Sequence, residues 1–374
     1  MKRYIHCLIL MSVVSFHCFS QKKDSAFKVS VYGFIKLNFT YDTRNLGKTD
    51  LFKPSLIPVS GVEDDNFFMS AKQTRVGLKV SRETSIGTIK GVIEGDFHNT
   101  STDVGGLFKL RHAYVNVKGL TVGMTWSNFF DIEANPNTVD YEGPNSSTLS
   151  RVPQIRYEYQ RKNHVWGISI ENPLIDISLQ PGGNIESKSQ RFPDLVPSYR
   201  YQSDNGSTIK LAGLVREVLY TELSTDNNKR LWGYGMGIFV NWKLFSHDNL
   251  KFQVVHGTGI AGYIEDLSGL GYDALEDTAG KLEALPVTGG FISYQHQWCR
   301  VFNSTLVLGG LQTDNSSALV DNDYKRGRYV ALNLFYTPIS SLDFGIECLL
   351  GQRMNQNKQA GYAQRVQAAA VFKF

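Results

Sequence analysis

The chain of 374 residues lacks long hydrophobic runs and a strong excess of either charge. After the N-terminus, no apolar run reaches the roughly 18 residues of a membrane-spanning helix, which excludes a polytopic helical membrane protein. Lys and Arg number 39 against 35 Asp and Glu, so the charge balance does not indicate nucleic-acid binding. Aromatic residues reach 12% and charged residues only 20%, which excludes a disordered chain.

Cysteine and catalytic motifs are also scarce. Of the four cysteines, only Cys299 and Cys348 lie outside the first twenty residues, which is too few for a disulfide framework. The sequence has no G-x-S-x-G or H-E-x-x-H motif, and its histidines lack the spacing of metal ligands. We therefore expect no enzymatic activity, no metal and no cofactor.

Residues 1–20 have the pattern of a secretory signal peptide. Lys2 and Arg3 precede a mostly apolar stretch at 5–19, and a cleavage site is predicted ahead of Gln21. An N-terminal membrane anchor is the alternative, but two histidines interrupt the segment and leave it short for a span. We expect the mature chain to begin with a short periplasmic segment, residues 21–28.

From residue 29 onward, hydrophobic residues alternate with polar ones at the period of a β-strand. In residues 29–41, valines, isoleucine, leucine and aromatics occupy one face while Ser30, Lys36, Asn38 and Thr40 occupy the other. Such runs often extend over 9–14 residues. A tilted strand that crosses a bilayer needs about 9–11 residues, whereas strands of soluble proteins average about 5–6.

The lengths of the predicted connections alternate as well. We predict sixteen strands, starting near residues 29, 67, 86, 107, 120, 153, 164, 197, 207, 230, 249, 285, 300, 325, 339 and 363. Connections after even-numbered strands are short. Most after odd-numbered strands are long, at 42–66, 99–106, 127–152, 173–196, 220–229, 260–284, 314–324 and 354–362. This layout predicts one all-β domain at 29–374: a transmembrane antiparallel β-barrel with short periplasmic turns and long extracellular loops.

The last strand carries a targeting signal. Apolar residues alternate from Val366 to the terminal Phe374, as in strands recognised by the machinery that inserts bacterial outer-membrane barrels. We therefore predict a bacterial outer-membrane location, with contacts to outer-membrane lipids and lipopolysaccharide. With about sixteen strands, the lumen is too wide for side chains to fill and should hold an aqueous channel.

The polar alternates should line that channel, and basic residues dominate them. Arginine binds carboxylate or phosphate with two parallel hydrogen bonds, and a basic pore wall concentrates anions. The alternative is that these charges pair with one another and only stiffen the barrel. The predicted pore-lining and anion-binding residues are Lys36, Arg75, Lys90, Arg111, Arg156, Arg200 and Arg353.

The long connection 127–152 is the predicted constriction. An acidic loop folded into a basic lumen would be held by charge pairing, and the alternative is a loop that stays outside. Its candidate residues are Asp131, Glu133, Asp140, Glu142, Gly143, Pro144 and Asn145. A second acidic connection, 265–277, is predicted to be a solvated loop, with cation binding as the alternative.

Several sequence runs resemble the DcaP-like family of outer-membrane porins. The run QTRVGL at 73–78 is similar to that family's Q-[ST]-R-x-G-[FL] pattern. VYGFIKL at 31–37, GMTWSNF at 123–129, DYEGPN at 140–145 and PQIRY at 153–157 are also similar. The resemblance implies a trimeric porin of sixteen strands that passes small anions such as dicarboxylates. It also implies Arg75, Arg111 and Arg156 as eyelet residues and 131–145 as the constriction loop.

We therefore expect a passive diffusion channel for small hydrophilic solutes with a preference for anions. Three alternatives remain: a phosphate-selective porin, a barrel with a plugged lumen, and a barrel with an enzymatic group at its rim. The sequence does not identify the solute.

Overall fold

A computed structural model describes residues 26–47, 49–61, 64–98, 106–245 and 247–374. The predicted signal peptide, residues 1–20, and most of the predicted segment 21–28 lie outside these residues. Within them, no helix is long and apolar enough to cross a membrane. The dominant element is one antiparallel sheet.

Sixteen strands form the barrel. The second strand has two segments, separated by a turn at 71–74. The strands are β1 (Lys28–Asp42), β2 (Asn66–Ser70 and Arg75–Thr84), β3 (Gly87–Asp96), β4 (Lys109–Val117), β5 (Leu120–Trp126), β6 (Arg151–Arg161), β7 (His164–Glu171), β8 (Asp194–Gln202), β9 (Thr208–Glu222), β10 (Asn227–Leu244), β11 (Asp248–Thr258), β12 (Pro286–Gln297), β13 (Phe302–Thr313), β14 (Tyr324–Ile339), β15 (Leu342–Asn355) and β16 (Ala360–Lys373).

The sheet closes because β16 pairs with β1. Phe34 lies opposite Lys373, and the antiparallel register continues to Asp42 opposite Arg365. Each other strand pairs with its neighbours in the chain, so among the strands that the structure describes no edge is left open towards lipid. The predicted sixteen-stranded antiparallel barrel is confirmed.

Short turns gather at one end of the barrel and long connections at the other. Lys118 and Gly119, for example, both adopt positive φ (48° and 85°) in the two-residue turn from β4 to β5, as a tight hairpin requires. Two predicted long connections are wrong: only 223–226 and 356–359 separate their strands, because the strands extend beyond the predicted ends.

Side chains alternate between the outside and the interior along each strand. On β1, Val31 and Ile35 are 62% and 56% exposed on the outer face, whereas Asn38 and Thr40 are buried on the inner one. Apolar side chains that face hydrocarbon are kept out of water, as the same residues are in the core of a soluble protein. The outer face therefore provides the lipid-facing surface.

Three long connections fold into the interior and pack there. Ile260, Tyr263 and Ile264 from the connection 259–285 are completely buried beside Phe129 of the connection 127–150. Phe52 from the connection 43–65 forms a second buried cluster. Wall residues of β8–β16 complete the clusters, including Val196, Leu214, Phe239, Val255, Val287, Leu311, Tyr329, Ala331 and Leu349. Folded connections therefore fill space that the strand side chains leave empty.

The prediction that 265–277 is a solvated loop is wrong for its main carboxylates. Asp266, Asp273 and Glu276 are each at most 1% exposed. Asp266 accepts hydrogen bonds from the Ser55 amide and hydroxyl at 3.1 and 2.7 Å, and Glu276 accepts one from the Asn184 amide at 2.6 Å. These carboxylates satisfy the amides of neighbouring connections, so they act as internal acceptors.

A buried ion pair links the first and last strands. Arg365 donates to both carboxylate oxygens of Asp42 at 2.6 and 2.9 Å and to the Thr49 carbonyl at 3.1 Å. Both charged side chains are fully excluded from solvent. A buried pair of this kind contributes little net stability as a whole, but loss of one partner leaves an uncompensated charge.

We expect Arg365→Met to lower the free energy of unfolding of the barrel by about 3–5 kcal/mol, because Asp42 would remain buried and unpaired. The measurement is the urea midpoint of the barrel in lipid vesicles, followed by tryptophan fluorescence. Lys229→Met is the matched control, since it breaks an exposed cross-strand pair with Glu222. Equal midpoints for the two variants would contradict the assigned role of the seam.

Candidate solute pathway

Wall lysines hold the inward connection 127–150 by its main chain. Lys36 on β1, Lys210 on β9 and Lys251 on β11 donate to the carbonyls of Val139, Phe130 and Asn135 at 3.1, 2.7 and 2.7 Å. In the closed barrel of sixteen strands, β1 lies on the opposite side from β9 and β11, so a segment that touches all three must cross the interior.

Carboxylates provide a second set of contacts with this connection. Glu347 on β15 accepts hydrogen bonds from the Val139 and Asp140 amides at 3.1 and 2.7 Å. Asp131 pairs with Arg200 on β8 at 3.0 Å. The sequence predicts that ion pairs hold this connection to the wall. Much of the contact is instead made by hydrogen bonds between wall side chains and the main chain of the connection.

The remaining predicted loop residues fall into two groups. Glu142 is buried and pairs with Lys53 of the connection 43–65 at 2.8 Å, while Glu133 is exposed. Gly143, Pro144 and Asn145 are buried in the turn, where Gly143 has a φ of 72° that favours glycine.

A β-bulge directs Arg111 into the interior. Glu94 lies opposite His112 and Gly95 opposite Leu110, so Arg111 is the extra residue on β4. Two consecutive side chains therefore face inward: Arg111 contacts Asp96, and His112 lies 3.0 Å from the Thr125 hydroxyl. Simple alternation could place only one of them inside.

Arg75 and Arg111 share carboxylates across β2, β3 and β4. Arg75 donates to Glu94 at 2.9 Å and to Asp96 at 2.8 Å, and Arg111 reaches Asp96 at 2.7 Å. The Tyr141 hydroxyl of the inward connection also donates to Asp96 at 2.8 Å. The structure thus brings these two predicted residues together, with their charges largely paired.

Arg151 is a further basic residue that the sequence analysis missed. Its guanidinium lies 3.5 Å from the centre of the Trp126 ring and donates to His112 at 3.3 Å. Among the described residues, no carboxylate lies within 4.0 Å of it. Arg151 begins β6 at the end of a long connection, where strand alternation gives no orientation.

The other predicted basic residues occupy different levels of the barrel. Arg156 and Arg200 have side chains 17% and 28% exposed, and Arg156 lies 3.7 Å from Glu158. Lys90 is exposed near the short-turn end. Arg353 lies at the long-loop end, where it donates to the Ser55 carbonyl at 2.6 Å.

Burial shifts the pKa values of charged groups in the inward connections. It raises the pKa of Asp140 to about 7, with the nearby Glu347 carboxylate as the next contribution. Burial also raises the pKa of Glu142, whereas its partner Lys53 has a raised pKa because the surrounding carboxylates outweigh its own desolvation. In the part of the chain that the structure describes, no group of three or more His, Cys, Asp or Glu side chains could hold a metal ion.

The packing of the interior is asymmetric. The buried apolar clusters lie against β8–β16, where Lys210, Lys251 and Arg353 donate to carbonyls of the inward connections. The strands β2–β8 carry the remaining inward basic residues, which are Arg75, Lys79, Lys90, Arg111, Arg151, Arg156 and Arg200. The inward connections pack against one half of the wall through apolar contacts. The other half keeps partly exposed polar residues.

Comparison with known proteins supports a porin architecture. The outer membrane channel DcaP of Acinetobacter baumannii is 22% identical, with 93% of this chain and 97% of that chain covered and a TM-score of 0.79. A loop-deletion mutant of Vibrio cholerae OmpT is 9% identical over 94% of this chain and 100% of that one, with a TM-score of 0.60. Salmonella typhi OmpF, in complex with daunomycin, is 10% identical over 92% and 97%, with a TM-score of 0.59. At these identities, the likeness shows the shared fold.

No curated protein matches the chain. The family model of the DcaP outer membrane protein, however, matches residues 19–374, which include all sixteen strands. This chain therefore belongs to the DcaP outer membrane protein family and is a porin-type barrel of the bacterial outer membrane.

Proposed function

We propose that the protein is a passive channel that prefers small anions such as dicarboxylates. The observation that carries this proposal is the asymmetry of the interior, because the inward connections pack against β8–β16 and leave solutes the wall of β2–β8. That wall carries Arg156, Arg200, Lys79 and Lys90 as accessible or partly accessible cations.

The charge pairing divides the basic residues into two roles. Arg75 and Arg111 are held by Glu94 and Asp96, so they fix the geometry of the wall beside Tyr141. Arg151, which has no carboxylate within 4.0 Å among the described residues, leaves this cluster with an uncompensated positive charge. Partly hydrated guanidinium groups can bind a carboxylate weakly and release it, as passage through a channel requires.

The inward connection 127–150 forms the constriction in this proposal. Its contacts with β1, β9, β11 and β15 support a fixed position across the interior. Solutes then pass between this connection and the arginines of β6 and β8.

We further propose that residues 1–20 are removed on export and that the barrel forms a homotrimer. The family match begins at residue 19, close to the predicted cleavage site. One structurally similar Vibrio cholerae OmpT, which is 11% identical with a TM-score of 0.57, is described as a trimer form.

We expect Arg156→Gln to lower the ratio of chloride to potassium permeability about threefold, because one partly hydrated charge is removed from the pathway. The measurement is the reversal potential of the refolded mature protein in a planar bilayer under a KCl gradient. It should be repeated with succinate and with phosphate in place of chloride, to rank the two anions.

Arg161→Gln is the matched control, since this exposed arginine lies at the short-turn end of the same strand. An unchanged reversal potential for Arg156→Gln would reject this arginine as a selectivity residue. A wild-type barrel that is folded but does not conduct would overturn the channel proposal itself and favour a plugged barrel.

The raised pKa of Asp140 predicts that docking of the inward connection depends on pH. A carboxyl group whose pKa is raised when the connection docks stabilises the docked state at low pH. This stabilisation is complete below the usual pKa of the group, near 4, and is lost as the pH rises through about 7. We therefore expect more fluctuations of open-channel current at pH 8 than at pH 5. Asp140→Asn, which keeps the shape but cannot ionise, should remove most of this difference. If the variant shows the same pH dependence as the wild type, Asp140 is not the group responsible.

A further inference from the structure

Two arginines face outward at the long-loop end of β14. Arg326 and Arg328 share a strand face with Leu332 and Leu334, which are 55% and 42% exposed, while the intervening Tyr329 is buried inside. Both arginines therefore lie on the outer surface of the barrel, away from the solute pathway.

Their level matches the outer boundary of the membrane. Arg328 is eight residues from Tyr336, whose ring stacks with Phe302 and Phe344 near the short-turn end. At about 3.3 Å per residue and a tilt of about 40°, this separation corresponds to roughly 20 Å of height, and Arg326 lies about 5 Å higher. The apolar band of such a barrel is about 25 Å tall. Both guanidinium groups should thus reach the headgroup region of the outer leaflet.

Neither arginine has a carboxylate within 4.0 Å among the described residues. Arg230, an outward cation near the same end, differs because it lies 3.1 Å from Glu217. Two adjacent, unpaired guanidinium groups repel one another and are stabilised by an anion that contacts both.

The neighbouring strands leave room for such an anion. Gly310 lies opposite Arg328 on β13, and a Cβ atom added there would meet no other atom within 4 Å. Gln312 lies opposite Arg326, and Gln352 of β15 lies opposite Arg328 on the other side. We call Arg326, Arg328, Gly310, Gln312 and Gln352 the β14 patch. Directly below it, Leu308, Val330 and Leu350 form an apolar surface.

We propose that the β14 patch binds the phosphate groups of a phosphorylated lipid in the outer leaflet. Two arginines supply charge-assisted hydrogen bonds, Gln312 supplies a neutral donor, and the apolar surface below receives acyl chains. The Gln352 amide already donates to the Tyr362 hydroxyl at 2.9 Å, so Gln352 forms the border of the patch. The combination of charge above and hydrocarbon below favours an amphiphile over a free ion. This site lies outside the barrel, so it does not depend on the proposed solute selectivity.

The test measures binding of bisphosphorylated lipid A to the folded barrel in detergent by native mass spectrometry. Arg326→Gln and Arg328→Gln should each weaken binding about fivefold, and the double variant about thirtyfold. Arg161→Gln combined with Lys162→Gln is the matched control at the opposite rim and should bind like the wild type. Folding of each variant is checked by the heat-dependent shift of the barrel in electrophoresis.

Two further probes identify the source of the phosphate. Dephosphorylated lipid A should bind as weakly as bisphosphorylated lipid A binds to the double variant, and equal binding of both lipids to the wild type would overturn the proposal. Competition by inorganic phosphate at the concentration of the lipid would also overturn it, since the site would then recognise a free ion. Unchanged lipid binding by a correctly folded double variant would exclude the β14 patch as the site. Anion selectivity, measured on the same preparations in phospholipid bilayers, tests the solute pathway separately.

Discussion

A barrel of sixteen strands encloses more space than its side chains can fill, and the rest of the interior depends on this constraint. The connection 127–150 folds into this space, and each amide and carbonyl group of its main chain needs a hydrogen-bond partner. Side chains of the wall supply several of these partners: Lys36, Lys210 and Lys251 donate to carbonyls, and Glu347 accepts from amides. A lysine in this position satisfies two demands at once, because its own buried charge also needs an acceptor.

The same constraint explains why the interior is divided into two halves. Apolar residues of the connections 259–285 and 43–65 can be buried only where the wall is also apolar, as it is at Val287 and Leu349. In the proposed function, water and solutes use the other half, which carries Arg156 and Arg200. The proposed pathway thus lies where the connections do not pack against the wall. Its charge is that of the side chains on this uncovered half of the wall.

Much of the fold could be predicted from the sequence because strand alternation and turn lengths are local signals. Sixteen strands, their order and the short turns followed from residues within each segment. The inward packing of 259–285 carried a weaker signal: Ile260, Tyr263, Ile264 and Leu267 recur at a helical spacing within an otherwise acidic loop. The count of acidic residues there is the same whether the loop is solvated or buried, so composition could not distinguish the two.

The candidate site was less predictable, because it depends on single-residue shifts and on distant partners. Arg111 faces inward through a bulge, and a one-residue change in register would reverse every side chain of the strand. The pairing of Arg75 with both Glu94 and Asp96 depends on side-chain geometry across two strands. A list of basic residues on an inner face therefore does not reveal which charges are already compensated.

The seam between β1 and β16 also has a consequence for the order of assembly. Asp42 and Arg365 are 323 positions apart in the chain, whereas neighbouring hairpins pair over short distances. Because loop-closure entropy rises with the logarithm of loop length, this pairing costs more entropy than closing any single hairpin, and we expect it to form after the hairpins. Without β16, β1 has an unpaired edge, and Asp42 lacks its arginine partner. The barrel can therefore close only when its last strand, and with it the whole chain, is present.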